Sequence, residues 1–161
     1  MDDETLRLAE ELFQLARAGE TERLRNLLRM GLAPNVRDSK GDSLLMLASY
    51  NGHRETARLL LEHGADPQLA NDRGLIPLQG AAFKGDAGMA RLLLGHGADP
   101  DASGPDGKTP LMFAAMFDRA EIIDLLIEHG ADPTLRSADG ATALSLARAQ
   151  GAEAASSRLT R

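Results

Sequence analysis

The sequence predicts an all-α solenoid, a row of helix pairs stacked side by side, and three observations predict it. Glycine recurs at 31, 64, 97 and 130, and again at 41, 74, 107 and 140, so both series step by 33 residues. Apolar residues between those glycines cluster at helical spacing. Aromatics make up only 3% of the chain while apolar residues make up 43%, so leucine and alanine must do the packing. A period of this length means that one supersecondary unit is copied and that each copy buries its apolar face against its neighbours. Function is then to be sought on a surface shared by several copies.

On that period the 161 residues form one domain with altered ends. Residues 1–37 are an amino-terminal capping helix pair, 38–70, 71–103 and 104–136 are full copies, and 137–161 are a partial carboxy-terminal capping copy. In the first pair, Leu12, Gly19, Leu27, Leu28 and Gly31 stand 33 residues before Leu45, Gly52, Leu60, Leu61 and Gly64, although residues 1–8 lack the turn sequence. Leu12, Leu15, Leu24, Leu27 and Leu28 supply a full apolar face, which predicts a firm end.

The copy over 104–136 shows how each unit folds. Asp106-Gly107 makes a turn, Thr109 is placed to cap a helix, and Pro110 suits the first helical position, where its missing N–H would be unbonded anyway. Leu111, Phe113, Ala114 and Ala115 give that helix an apolar face, and Gly52 or Gly85 closes it in neighbouring copies. A second helix follows with Ile122, Ile123, Leu125, Leu126 and Ile127 as its stripe. Gly130 stops it, and Ala131-Asp132-Pro133 turns the chain out. In the preceding copy, Gly80 replaces the Leu47, Phe113 and Leu146 of the others, and the gap is expected to be filled by Phe113. At the far end only Leu159 keeps a core position within 152–161, which predicts a polar cap with a frayed tail.

These residues resemble the ankyrin repeat, a 33-residue turn-helix-loop-helix unit with the signature T-P-L-H-x-A. Thr109-Pro110-Leu111 with Ala114-Ala115 matches it, as does Gly-Ala-Asp at 64–66, 97–99 and 130–132. The resemblance runs from about residue 10 to about residue 151. The signature histidine is replaced by Met46, Gln79, Met112 and Ser145, and Thr-Pro by Ser43-Leu44, Ile76-Pro77 and Thr142-Ala143. Loss of that histidine is expected to remove hydrogen bonds between neighbouring turns and to soften them. The family implies an ankyrin-type solenoid with a concave groove.

Several function classes are disfavoured. Without cysteine there is no disulfide, thiolate metal site or cysteine nucleophile. A net charge of −6 argues against a dedicated nucleic-acid binder, whose affinity comes mainly from Lys and Arg on phosphates. The acidic start, Met1-Asp2-Asp3-Glu4, is unlike a signal peptide, and no apolar run approaches a membrane span, so no membrane partner and a cytoplasmic location are expected.

Gly107-Lys108-Thr109 looks like the end of a phosphate loop, yet Ala102 stands where that loop needs glycine. His63, His96 and His129 recur one per copy. Packed helices about 8 to 10 Å apart keep such residues from converging on one metal, so they are read as ending their helices. His53 is followed by Arg54-Glu55 and lacks a zinc-protease partner histidine. Asp66, Asp99 and Asp132 read as turn residues, and Ser43, Ser49 and Ser145 lack a nucleophile-elbow context. No catalytic residue, cofactor or metal is assigned, and the chain is expected not to be an enzyme.

A surface pattern survives. In ankyrin-like repeats the residues just before the first helix's closing glycine point into the groove. Here these are Tyr50-Asn51, Phe83-Lys84, Met116-Phe117 and Ala149-Gln150, preceded by Arg17-Ala18. Three of the five aromatic residues fall among them. An aromatic and methionine strip rimmed by Arg17, Lys84 and Asp118 suits a protein-binding hot spot. Leu75 extends it to the turn tips, where Lys40 and Arg73 hold one position in consecutive copies and Asp106 and Asp139 follow. The expected function is non-catalytic binding of a protein partner through groove and turn tips, the chain being monomeric alone. Alternatives are a dedicated neutralising or regulatory partner of one enzyme or toxin (an immunity protein, inhibitor or accessory subunit) and, in a different class, a small-molecule or nucleic-acid binder.

Overall fold

The computed structural model describes residues 2–161, which form ten α-helices. They alternate as first and second helices: α1 (Asp3–Ala18) and α2 (Thr21–Arg29), α3 (Leu44–Tyr50) and α4 (Arg54–Glu62), α5 (Pro77–Lys84) and α6 (Ala87–Gly95), α7 (Pro110–Met116) and α8 (Ala120–Glu128), α9 (Ala143–Ala149) and α10 (Glu153–Leu159). First helices pack on first helices, second helices on second helices, and each pair on itself. The protein is an all-α solenoid of stacked helix pairs whose core is a ribbon between the two rows.

The local chemistry read from the sequence fixes these bounds. The Thr109 hydroxyl accepts from the Met112 N–H at 3.3 Å, and Pro110 opens α7. Gly85 ends α5 in the left-handed region at φ 76°, a conformation that costs glycine little. The core ribbon is small and regular: Leu45, Leu60, Leu78, Leu93, Leu111, Ile122, Ile123 and Leu126 are fully buried, with Ala48, Ala82, Ala114 and Ala115 between them. Alanine in the helix faces lets the rows approach, and leucine fills the layer, so a chain with five aromatics still packs.

Polar groups stitch the copies together. Asp66, Asp99 and Asp132 each accept the N–H two residues on, at 2.8, 2.9 and 2.9 Å. Their own N–H groups donate back to the preceding copy, to Asn35, Gln68 and Asp101 at 2.8, 2.8 and 2.9 Å. The aspartate ladder is turn chemistry, and the Thr134 hydroxyl and N–H hold the Asp132 carboxyl below the usual carboxylate range. His63, His96 and His129 each donate Nδ1–H to the carbonyl four residues back in their own helix, at 2.9, 3.0 and 2.9 Å. They add a side-chain bond to carbonyls in the last turn of each second helix, where the sequence places them.

Two expectations are corrected here. Neighbouring turns are joined by Asp72 N–H to the Lys40 carbonyl at 3.1 Å and by Ala138 N–H to the Asp106 carbonyl at 2.8 Å. Between them Pro105 stands at the donor position and has no N–H to give. Gln79, buried at the signature-histidine position, bonds across that same junction. Its Nε2 donates to the Lys108 and Ala102 carbonyls at 3.0 and 3.3 Å, while its Oε1 accepts from Ile76 N–H at 2.9 Å. The bonds expected to be lost with the histidine are therefore supplied by glutamine at the one junction where the main-chain link is missing.

The second correction concerns the carboxy terminus. Residues 153–159 are helical and docked, not a frayed tail. Asp118 stands where the other copies have glycine, at φ 58°, and its Oδ1 accepts the Ala155 N–H at 2.8 Å. Ala152, the cap residue of α10, offers no side-chain acceptor, so Asp118 caps this helix from the neighbouring copy. Arg158 Nε adds bonds to both Asp124 oxygens at 3.1 and 3.0 Å.

Candidate functional site

The first helices end on one edge of their row, and three aromatic side chains emerge there from successive copies. Tyr50 ends α3, Phe83 lies in the last turn of α5, and Phe117 caps the end of α7. Their rings form a continuous run. Tyr50 and Phe83 lie nearly parallel with centroids 6.5 Å apart, and Phe83 meets Phe117 edge-on at 4.8 Å. The Lys84 ammonium sits 4.4 Å from the Tyr50 ring centroid. These are favourable aromatic and cation–π geometries.

The run nevertheless faces outward. Tyr50, Phe83 and Phe117 are 41%, 38% and 40% exposed, whereas Phe13 is buried. Side chains this large and apolar stay partly in water only at a cost, and here three of the five aromatics do so side by side.

The remaining candidates divide. Met116 is half-buried, so Phe117 and not Met116 continues the aromatic run. The exact period places Met116 beneath Tyr50 and Phe83 in the alignment, and α7 ends in the same register as α3; Phe117 joins the run from the cap position that Asn51 holds in α3. Asn51 is committed to its own helix, donating Nδ2 to the Leu47 carbonyl at 2.7 Å. Arg17 forms an ion pair with Asp38 at 3.2 Å. Lys40 and Arg73 are exposed at the turn tips, and Leu75 is half-buried beside them.

Gly80 has a different neighbour from the one expected. A Cβ there would lie 3.2 Å from Tyr50 Cδ2 and 4.0 Å from Met46 Sδ. Its closest neighbours therefore come from the preceding copy, and Phe113 of the following copy is not what fills the gap. The Tyr50 ring reaches forward over the bare glycine and stacks on Phe83 of the same following copy. Beside this contact the chain forms a cleft of about 560 Å³ between α3, α5 and the turns at 39–42 and 71–75. Sequence reasoning located both Gly80 and Tyr50 but did not join them.

No group of His, Asp or Glu among the described residues is arranged to hold a metal ion, and no described helix is long and apolar enough to cross a membrane. The family model described as ankyrin repeats (3 copies) matches residues 12–104 and again 78–157. A putative ankyrin repeat protein of Pseudomonas aeruginosa is 58% identical over 53 residues, a stretch covering 33% of this chain and 31% of that protein. Helix pairs at a 33-residue step, glycine-closed helices, the Gly-Ala-Asp turns and these matches agree, and the chain belongs to the ankyrin repeat family.

Proposed function

We propose that this protein binds a protein partner without catalysis, through the face carried by its first helices and turn tips. Tyr50, Phe83 and Phe117 are the central anchors, Met116 supports them, and Lys84, Asn51, Arg17, Lys40, Arg73 and Leu75 form the surround. Ankyrin repeats are in general protein–protein interaction modules. The observation that carries the reading for this chain is the exposed aromatic run across three successive copies. Aromatic anchors within a charged rim dominate many protein interfaces, each contributing about 2 kcal/mol or more when truncated. Repeated histidines and aspartates bond to backbone groups, which supports a non-catalytic role.

The test is comparative capture. Immobilised wild type and a Phe83→Ala/Phe117→Ala variant are exposed to lysate of the native host, and bound proteins are quantified with thermal melting run beside them. Proteins bound by the wild type and lost from the variant at nearly unchanged melting temperature are the expected result. Identical capture by both proteins, or a variant that melts several degrees lower, would show that the run is packing.

A further inference from the structure

The chain has four asparagines, at 26, 35, 51 and 71, and Asn51 alone is followed by glycine. That pairing has a chemistry of its own. The main-chain nitrogen after an asparagine can attack the side-chain amide carbon, and glycine leaves that approach unobstructed, whereas Leu27, Val36 and Asp72 follow the other three. Asn51 and Gly52 are both exposed, where α3 ends and the chain crosses to α4. The other asparagines are further restrained: Asn26 lies inside α2, Asn35 Oδ1 accepts the Asp66 N–H, and Asn71 uses both ends of its amide.

The folded turn keeps the two reacting groups of Asn51-Gly52 apart. Asn51 caps α3 at φ −88° and ψ 6°, and that ψ turns the Gly52 nitrogen away from the side-chain carbon. Both groups are also occupied. Asn51 Nδ2 donates to the Leu47 carbonyl at 2.7 Å, and the Gly52 N–H donates to the Ser49 carbonyl at 3.1 Å. Ring closure between them therefore requires both bonds to break and ψ to rotate, which opening of the last turn of α3 provides. The closing turn is a gate on the chemistry of its own cap residue.

We propose that Asn51-Gly52 is a spontaneous modification site, at which opening of the closing turn of α3 sets the rate of conversion of Asn51 to aspartate and isoaspartate. In the opened turn the Gly52 nitrogen gives its proton to solvent base and bonds to Asn51 Cγ; the Cγ–Nδ2 bond breaks, and the amide nitrogen takes up a proton and leaves as ammonia. Water then opens the cyclic imide at either carbonyl carbon, giving aspartate or, with the main chain rerouted through the side chain, isoaspartate. No electron is transferred and no reactant beyond water is consumed. The product does not restore the gate: an aspartate has no N–H for the Leu47 carbonyl, and its charge lies at the negative end of a helix. Asp86 adds like charge nearby, its carboxylate lying 4.0 Å from where a Cβ on Gly52 would be. The two Asp-Gly pairs do not compete at neutral pH. The Lys108 N–H holds Asp106, and the Ser137 hydroxyl holds Asp139, below the usual carboxylate range, and an ionised carboxylate resists attack. The modification stands without the proposed binding face, although it places its new charge next to Tyr50.

Timed incubation of the whole chain in mildly alkaline buffer, with and without denaturing guanidinium chloride, tests it. Peptide mass spectrometry locates the mass gained when an amide becomes an acid and separates aspartate from isoaspartate. Asn51→Gln, whose longer side chain closes a ring far more slowly, runs beside the wild type. The gain should appear first at residue 51, with both products present, and roughly tenfold or more faster in denaturant than in the folded chain. Asn51→Gln should lose that early gain, and Asn51→Asp should exchange its amides over 47–53 faster than wild type. Gain that begins at 26, 35 or 71, or a folded wild type still unmodified at 51 after the longest incubation that leaves it folded, overturns the site. Equal rates with and without denaturant overturn the gate, and wild-type exchange in Asn51→Asp overturns the loosening of α3 by the product.

Discussion

The two ends of the array face one problem and meet it with different physics. Each terminal pair has a neighbour on one side only, so each must be held by half the usual contacts. The amino-terminal pair uses apolar area: Phe13, Leu24 and Leu28 are buried, and Leu12 and Leu15 pack against the same cluster. The carboxy-terminal pair buries less: Ala143, Ala147, Ala152 and Ala155 are its buried residues, Leu146 and Leu159 pack partly against the core, and Asp118 and Arg158 add three directed bonds. Apolar attachment tolerates small misplacements but needs bulk. Polar attachment needs little bulk and a fixed geometry, which Asp118 secures by entering the left-handed region that glycine occupies elsewhere.

The contrast is sharpest in what each end loses on substitution. Leu24→Ala should be the most damaging change at the amino terminus, because it removes a fully buried side chain and leaves a cavity; about 3 kcal/mol is expected. Urea unfolding of the whole chain measures it, and a loss below about 1 kcal/mol would mean that the first pair contributes little to the array. Next comes Asp118→Ala, which removes the remote cap of α10 and keeps a non-glycine residue at positive φ. A loss of about 1 to 2 kcal/mol is expected, concentrated in 153–159 as faster amide exchange. Asp118→Gly separates the two parts: it loses the cap but relieves the backbone, and should fall between wild type and alanine. A glycine variant as damaging as the alanine variant would contradict that account.

What could be read from the sequence follows the same division. Area-driven features repeat with the period, so the helices, their closing glycines, the leucine stripe and the core-facing residues of the first pair were all legible from spacing. The roles of His63, His96, His129 and of Asp66, Asp99, Asp132 were legible too, because recurrence once per copy argues for backbone bonds. Contacts between unlike positions of neighbouring copies were not. Asp118 capping Ala155, Gln79 bridging to Lys108, and Tyr50 covering Gly80 each pair an exception to the repeat with a residue in another copy. A single sequence shows the exception without its partner. The signal available for Asp118 was its place in the series Gly19, Gly52, Gly85 and Gly151, where a residue other than glycine must be compensated. At the aromatic run the pattern predicted Tyr50 and Phe83 as exposed, but strict periodicity put Met116 in line with them, whereas the ring that meets Phe83 belongs to Phe117 at the following cap position.

The ion pair at the carboxy terminus ranks third. Arg158 and Asp124 are about one third and one half exposed, so solvent screens much of their attraction even in a two-bond geometry. Arg158→Gln should cost about 0.5 kcal/mol at low salt and nearly nothing at 1 M salt, whereas the Asp118→Ala loss should change less with salt, since much of it is a cap and not an ion pair. Equal salt sensitivity of the two would argue that charge alone, and not directed capping, holds α10.

The smallest effect is expected where the amino-terminal end looks most apolar. α1 is 16 residues long against seven to nine for the other helices, and its first turns carry Leu6 and Leu8, which are 47% and 59% exposed. Burial begins only at Phe13 among fully covered side chains, so leucines earlier in the helix add length and not attachment. The helix start is secured locally, by the Asp2 carboxylate accepting the Thr5 N–H at 2.7 Å. Leu6→Ser/Leu8→Ser should therefore lower the unfolding free energy by no more than about 0.5 kcal/mol apart from a small helix-propensity loss. A loss comparable to Leu24→Ala, seen in the same urea titration, would mean that the amino-terminal overhang is packed in solution and that area attaches this end along the whole of α1.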